Sequence, residues 1–217
     1  MNLADLISAF RARADDTAEP YLWSDEEVTL YLNEAVAEAA QRARLIQDST
    51  TPAITQIAVT ASNADYVLDA SVLAVDRVKL ASQPRPLVRT TVAELDANYP
   101  GWESHIGQPK FFTEVEGYLS IIPQSPMDDT LSLTVYRLPV APMAADTDEP
   151  EIHAKYHYRL LDWALRCAYL KNDSETLDKS KAADYQALFE QSFGVLPDAN
   201  VQRKQRAHQA TTVRINW

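Results

Sequence analysis

Apolar residues recur at helical spacing at both ends of the chain and alternate with polar residues through its middle. From Leu3 to Phe10 and from Val28 to Ala43, apolar side chains return every three or four residues, which is the pattern of an amphipathic helix. From Asp48 onward the period falls to two, and turn-forming residues separate short runs, as between antiparallel strands. The pattern predicts helices at each end and strands between them.

The most apolar stretch lies towards the C-terminal end of the chain. Between Ile152 and Leu170, apolar and aromatic residues fall on nearly every side of a helical wheel, which predicts a helix that is buried on most faces. After the turn signal at residues 171–174, apolar residues return at helical spacing from Leu177 to Phe193, and Gly194 ends the run. A closing helical hairpin is therefore predicted.

Two helix starts are marked near the N-terminus. Asn2 can cap a first helix, which we expect to end by Asp15. Ser24 and Glu27 have the spacing of a capping box, and the helix that they begin is expected to run to about Leu45.

The middle of the chain contains seven predicted strands and one short helix. The helix lies between Thr91 and Asn98 and ends before Pro100-Gly101-Trp102. Residues 139–150 are rich in proline and acidic residues, which is typical of a surface link. The strands are predicted at Ile54–Thr60, Asp65–Leu68, Val72–Leu80, Pro86–Arg89, Lys110–Val115, Tyr118–Ile122 and Leu131–Leu138.

Together these elements predict an α+β fold. Two N-terminal helices and the C-terminal hairpin would form a helical bundle that carries an inserted small antiparallel β domain and an extended C-terminal arm. The expected boundaries are residues 1–47 and 151–196 for the helical bundle, 48–150 for the inserted β domain and its link, and 197–217 for the arm.

Composition and charge limit the function. The 217 residues are 46% hydrophobic, which is enough to build a core. Because 31 acidic residues outnumber 20 basic ones, the net charge of -11 argues against a protein that wraps duplex DNA or binds anionic lipid. The chain lacks an apolar run of about 18 residues and a signal-peptide pattern, so we expect synthesis in the cytoplasm and no membrane partner.

The last twenty residues differ in charge from the rest. Four basic residues oppose Asp198 alone between 198 and 217, which gives +3 and leaves -14 (-11 minus 3) for residues 1–197. The segment ends in strict alternation with no partner strand nearby in sequence, so we expect it to dock on another subunit. The expected contact residues are Arg203, Lys204, Arg206, Val213, Arg214, Ile215 and Trp217. Trp102 is a second candidate for a subunit interface, with packing against its own loop equally open.

Residues with catalytic or metal-binding potential have simpler interpretations. All four glycines are isolated, which excludes a phosphate-binding loop. His153 and His157 share a helix face but lack the context of a metal motif, so a plain helix-face pair is favoured. Cys167 is the only cysteine and falls within the apolar helix, where a thiol is inert. Neither a metal nor another cofactor is expected.

Acidic residues leave one enzymatic alternative open. Glu26, Glu27, Glu34 and Glu38 could supply a carboxylate pair for a hydrolase. Glu34 and Glu38 are expected on the polar face of the second helix, and Glu27 is explained by its cap, so solvated or capping roles are favoured instead. We therefore expect a protein that is not an enzyme.

Several short segments follow one another in a particular order and spacing. They are residues 22–27 (Leu-Trp-Ser-Asp-Glu-Glu), 32–35 (Leu-Asn-Glu-Ala), 100–102 (Pro-Gly-Trp), 107–109 (Gly-Gln-Pro), the strand before 122–123 (Ile-Pro), and the helix from His157 to Leu170 followed by Asp173. In this order and spacing, over about Leu3–Phe193, they resemble tailed-bacteriophage head-to-tail adaptor (connector) proteins.

The resemblance implies a helical bundle with a β insertion, assembled as a ring of usually twelve copies beneath the portal, in the neck of the virion. It implies a portal protein and a tail or nozzle protein as partners, and a C-terminal segment that reaches the portal. Genomic DNA would pass through the ring without specific binding, which suits an acidic body. The alternatives are a tail terminator or tube subunit, and a carboxylate-dependent hydrolase.

Overall fold

The computed structural model describes residues 1–115, 117–196 and 198. These residues form a mixture of helices and two small sheets, which confirms the predicted α+β class. They divide into two compact units. The helical unit contains Met1–Ile46 and Leu138–Leu196, and the β unit is built from Gln47–Arg137.

The α-helices of the described residues are α1 (Leu3–Ala14), α2 (Asp25–Ala43), α3 (Pro52–Thr55), α4 (Val92–Asn98), α5 (Leu160–Leu170) and α6 (Lys179–Phe193). Their strands are β1 (Gln47–Asp48), β2 (Gln56–Val59), β3 (Asp65–Val67), β4 (Val72–Leu80), β5 (Val88–Arg89), β6 (Phe111–Val115), β7 (Tyr118–Ile122) and β8 (Asp129–Arg137). Short 3-10 helices occupy Trp102–Ser104 and Ala154–Arg159.

The first two helices begin where the sequence predicts. The side chains of Asn2 and Ser24 each accept a hydrogen bond from the amide three residues on. The carboxylates of Asp5 and Glu27 in turn accept one from the amides of Asn2 and Ser24. Both capping boxes therefore satisfy amide groups that a helix start leaves without partners. The helix α2 ends slightly earlier than expected, because Arg44 adopts a left-handed conformation.

A single apolar core joins α1, α2, α5 and α6 in the helical unit. Small buried residues on α2, among them Ala35 and Ala39, leave room for α5 to approach closely. Trp23 lies fully buried, with the rings of Phe10 and Tyr169 each meeting it edge-on at 5.7 Å. The helix α5 is buried on most of its faces, as its sequence pattern predicts.

Two four-stranded sheets form the β unit. In the first, β8 is central, with β4 on one side and both β1 and β2 on the other, all antiparallel. The second has the order β3-β7-β6-β5, in which only the β5–β6 pair is parallel. One apolar cluster joins the two sheets and includes Val78, Leu80, Phe112, Leu119, Ile121, Leu131 and Leu133.

The predicted strand at Ile54–Thr60 is wrong in its first two residues. Ile54 and Thr55 belong to α3, and the strand β2 begins only at Gln56. Pro52 stands at the start of α3, where its fixed φ suits a helix and its missing amide hydrogen costs nothing. This backbone constraint overrides the strand preference of Ile54 and Thr55.

The closing hairpin also differs from its prediction. Residues 154–159 form a 3-10 helix, so the α-helix predicted from Ile152 begins at Leu160. Asp178 caps α6 by accepting from the amides of Ser180 and Lys181, which places Leu177 outside the helix and exposed.

Residues 139–150 are attached to the helical unit by specific contacts. Met143 is buried in the helical core. The Asn33 side chain on α2 donates to the Met143 carbonyl at 2.9 Å and accepts from the Met143 amide at 2.8 Å. The Leu3 and Ala4 amides donate to the carbonyls of Asp148 and Asp146. The segment is therefore held in place rather than loosely linked.

Candidate interaction surfaces

A concave surface of about 530 Å³ lies beside the strands β6 and β7, where Phe111 pairs with Ile122. We call it the aromatic groove, and we define it by Tyr99, Trp102, His105, Lys110, Phe111 and Pro123. The Tyr99 and Phe111 ring centroids lie 5.3 Å apart. Because aromatic side chains with exposed faces often anchor protein contacts, the groove is a candidate binding surface.

The local sequence explains how the groove is built. Thr91 caps α4, which delivers Tyr99 at its end. Gly101 then adopts a φ of 77°, a left-handed conformation that glycine accommodates without strain, and the chain turns into the 3-10 helix that carries Trp102. The Trp102 indole nitrogen donates to the Asp96 carboxylate at 2.9 Å. The groove is therefore fixed by short-range contacts.

Lys110 gives the groove a positive charge. Lys110 and His105 both line it, and both side chains are exposed. Among the residues that the structure describes, no carboxylate lies within ion-pair distance of Lys110. Lys110 is therefore a cation without a carboxylate partner among the described residues, although the chain as a whole is acidic.

Trp102 is the sequence-predicted interface residue that falls in the described part of the chain. It is half-buried at the surface of the β unit, where it both contacts its own loop through Asp96 and lines the groove. The sequence pattern did not indicate the other groove residues, which are Tyr99, His105, Lys110, Phe111 and Pro123. The aromatic pair at 111–112 after Gly107-Gln108-Pro109 was the signal that could have suggested them.

A second apolar feature crosses the sheet of β3, β7 and β6. Val67 and Val115 both pair with Tyr118, and the three side chains are 69%, 55% and 52% exposed, in that order. Polar residues usually occupy the solvent-facing side of an antiparallel sheet. This apolar row is thus a further candidate contact surface.

The helical unit has its own exposed apolar residues. A cleft of about 250 Å³ separates α2 from residues 138–151. Val140 in that segment is 60% exposed, and Leu30 on α2 is 64% exposed. Each unit therefore has a candidate interaction surface.

The two candidate metal-ligand histidines have structural roles. His153 accepts a hydrogen bond from the Lys155 amide, and His157 is buried with its Nε2 2.9 Å from the Ile152 carbonyl oxygen. The Nδ1 atom of His157 lies 3.2 Å from the amino group of Met1. Within residues 1–115, 117–196 and 198, no group of three or more His, Cys, Asp or Glu residues could hold a metal ion.

The acidic residues of α2 and the single thiol also have local partners. Glu34 accepts from the Trp163 indole at 3.1 Å, and Glu38 pairs with Arg42. Burial raises the pKa of Cys167 to about 12, and the nearby Glu34 charge acts in the same direction. The thiol is therefore a poor nucleophile near neutral pH.

The seven predicted portal-contact residues, Arg203, Lys204, Arg206, Val213, Arg214, Ile215 and Trp217, lie outside the described residues. In the part of the chain that the structure describes, no helix has the length and apolar character needed to cross a membrane.

Both units expose aromatic or apolar surfaces, and the candidate catalytic and metal-binding side chains described above have structural partners. This combination is typical of a protein that works by binding other proteins. The family model described as SU10 adaptor protein matches residues 1–215, and the chain therefore belongs to this family of phage head-to-tail adaptors. No curated protein matches the chain. The resemblance derived from the sequence is confirmed.

Membership in the family gives the general role. The protein is a structural adaptor of a bacteriophage virion, a class that is not enzymatic. Such an adaptor binds portal and tail proteins and lies in the neck of the virion.

Proposed function

We propose that the protein assembles as a ring of twelve copies below the portal, where it extends the DNA channel and offers the attachment surface for the tail. The match of the adaptor family over residues 1–215 is the observation that carries this proposal. A ring subunit needs lateral surfaces as well as surfaces for portal and tail. The aromatic groove, the exposed apolar row and the α2 cleft supply candidates for these contacts.

The charge of the chain suits a channel. Residues 1–197 carry -14, which is the total of -11 less the +3 of residues 198–217. Neutralising phosphates with a basic wall would release counterions and hold the duplex, whereas an acidic wall repels it. Genomic DNA would therefore pass through the ring without specific binding.

The C-terminal segment would provide the portal contact. Its basic residues would steer the approach to the portal, and its apolar and aromatic residues would be buried there. The residues assigned to this contact are Arg203, Lys204, Arg206, Val213, Arg214, Ile215 and Trp217. The helical bundle with its inserted β domain would then form the body of the ring.

Electron microscopy of the purified protein, alone and mixed with portal rings, tests the proposal. We expect twelve-fold density stacked on one face of the portal, with a continuous central channel. A six-fold ring that binds tail tubes and ignores portals would identify a tail terminator or tube protein instead. Clearing of cell walls by the purified protein would support the hydrolase alternative.

A further inference from the structure

We propose that the aromatic groove of one copy binds the acidic segment, residues 139–149, of the neighbouring copy. This contact rests on the ring proposed above and specifies one of its lateral interfaces. It joins a surface of the β unit in one copy to a surface of the helical unit in the next.

The groove is concave and can receive a segment of a neighbouring copy. Its aromatic side chains are already positioned, because Asp96 holds the Trp102 indole and Phe111 contacts the Tyr99 ring. Grooves lined by such aromatics bind extended, proline-containing segments, whose restricted backbones lose little entropy on docking. A segment with proline and a small apolar side chain is therefore a suitable ligand.

The acidic segment has this chemistry and is presented at the surface. Pro142 is exposed, and the Val140 side chain is largely accessible to solvent. The two hydrogen bonds between Asn33 and Met143 fix the segment on α2, so little conformational entropy remains to be lost when it docks. Both partners are thus preorganised.

The charges of the two surfaces are complementary. The groove offers the Lys110 ammonium group, and the segment offers the exposed carboxylate of Asp146. The Glu149 carboxylate is also exposed and lies 3.8 Å from the Met1 amino group. The strongly acidic body otherwise makes copies repel one another, so an unpaired cation beside an aromatic groove favours an acidic ligand of this kind. The charge pairs would set orientation, and the aromatic contacts would supply most of the affinity.

The contact is heterologous, because the groove and the segment are different surfaces of the chain. A pair of bound copies leaves one groove and one segment free, so further copies can add until the rotation closes a ring. A self-complementary contact would stop at a dimer.

Two variants test this arrangement. Trp102→Ala removes a central aromatic side chain of the groove, and Val140→Lys replaces the exposed apolar side chain of the segment with a cation. Each alone should weaken association between copies by about 30-fold or more in sedimentation velocity. Tyr158→Ala, an exposed aromatic of the helical unit that lies outside the groove and outside the acidic segment, is the matched control and should assemble normally.

Mixing the two variants gives the sharpest result. The intact groove of the Val140→Lys copy can bind the intact segment of the Trp102→Ala copy, but the remaining pair of surfaces is altered on both sides. Native mass spectrometry should therefore find heterodimers that do not extend. Charge reversal adds a second check: Lys110→Glu and Asp146→Lys should each weaken association about fivefold, and together should restore it.

Far-ultraviolet circular dichroism establishes that each variant is folded. Folded variants that assemble like the unmodified chain, alone or on portal rings, would overturn the contact and leave the proposed function standing. The contact would also be overturned if Trp102→Ala still formed the ring but no longer bound the portal or a tail protein, because the groove would then serve that partner. If the unmodified copies associate and the mixed variants stop at dimers, yet none binds portals, the contact stands and the proposed function fails.

Discussion

Trp163 shows how the helical unit accommodates charged groups inside its core. Its ring centroid lies 4.3 Å from the Arg166 guanidinium carbon and 4.8 Å from that of Arg42. Phe189 packs against the ring at 5.0 Å, and the indole nitrogen donates to Glu34. One aromatic side chain thus fills the apolar space and contacts groups of both charges.

Replacing this side chain should be costly. Trp163 is only 5% exposed, so Trp163→Ala leaves a large cavity and removes the partner of Glu34. We expect a loss of about 3 to 5 kcal/mol in the free energy of unfolding, measured by urea denaturation. Trp102→Ala, at a half-buried position, should change it much less. An unchanged transition for Trp163→Ala would contradict the core position.

Asp48 performs a similar role in the β unit. Burial opposes its ionisation, but hydrogen bonds from Thr50 and Thr51 and from Arg137 together hold its pKa well below the usual range for aspartate. The Arg137 Nε atom lies 2.7 Å from its carboxylate, and both side chains are buried. The ion pair links β1 to β8. The hydrogen bonds from Thr50 and Thr51 hold the turn between β1 and α3.

The lowered pKa predicts how stability depends on pH. A carboxylate with a depressed pKa contributes fully above its unfolded value of about 3.9, and the contribution is lost as the pH falls through the folded value. Asp48→Asn should therefore cost on the order of 3 kcal/mol at pH 7, because Arg137 loses its buried counter-charge.

Thermal melts from pH 7 to pH 3 check this sign. The difference between the unmodified chain and Asp48→Asn should shrink below about pH 4. Glu103→Gln, an exposed carboxylate in the same unit, is the control and should show no comparable difference. A difference that stays constant over the whole range would show that the charge of Asp48 is not involved.

For single residues, the sequence predicts burial within a helical pattern better than it predicts which distant residues folding brings together. The burial of Trp163 follows from a stretch that is apolar on nearly every side, and the structure confirms it. The aromatic groove could not be predicted in the same way. Tyr99, Phe111 and Pro123 are distant in sequence and meet only through strand pairing and the turn at Gly101.

Among the elements, those with clear local signals match their predictions. The strands β4 and β7 have the predicted limits, and α2 begins at its predicted capping box. The errors occur where one residue controls the backbone, as Pro52 does for α3 and Asp178 does for α6. Apolar spacing cannot detect such control, because it reports which face is buried and not where the hydrogen bonding begins.

The clasp between Asn33 and Met143 makes a prediction about the acidic segment. Asn33→Ala removes both hydrogen bonds that hold Met143 to α2, and we expect limited proteolysis to cut first within residues 139–150. The unmodified chain should resist cleavage there, because its backbone is anchored at several points. Gln41→Ala, an exposed substitution on the same helix, is the matched control. Equal cleavage rates in all three proteins would show that the clasp does not hold the segment.

For the molecule as a whole, family membership and surface chemistry agree. An adaptor must bind several partners at once, and the described residues offer separate candidate surfaces on the helical unit and on the β unit. The sequence indicated this class through the order of weak motifs and through the lack of a catalytic motif. It could not identify which surface meets which partner, because the lateral surfaces form only when distant segments fold together.

The charge difference between body and tail leads to the last prediction. A chain that ends at Leu196 loses the residues that carry +3 but keeps every residue of α1 to α6 and β1 to β8. It should therefore fold with an unchanged far-ultraviolet spectrum and still associate with other copies through the groove.

The same truncated chain should fail to join portal rings, because it lacks both the basic residues and the alternating end. Full-length Trp217→Ala separates the contribution of the buried aromatic contact from that of the basic charges. It keeps the charge of the segment, and it should weaken portal binding by about 2 kcal/mol per subunit with little change in salt dependence. Changing Arg203, Lys204 and Arg206 to glutamine should instead slow association and reduce its sensitivity to salt. Co-sedimentation with portal rings at two salt concentrations measures both effects. If the truncated chain assembles on portals as well as the full chain does, residues 197–217 are not the docking element.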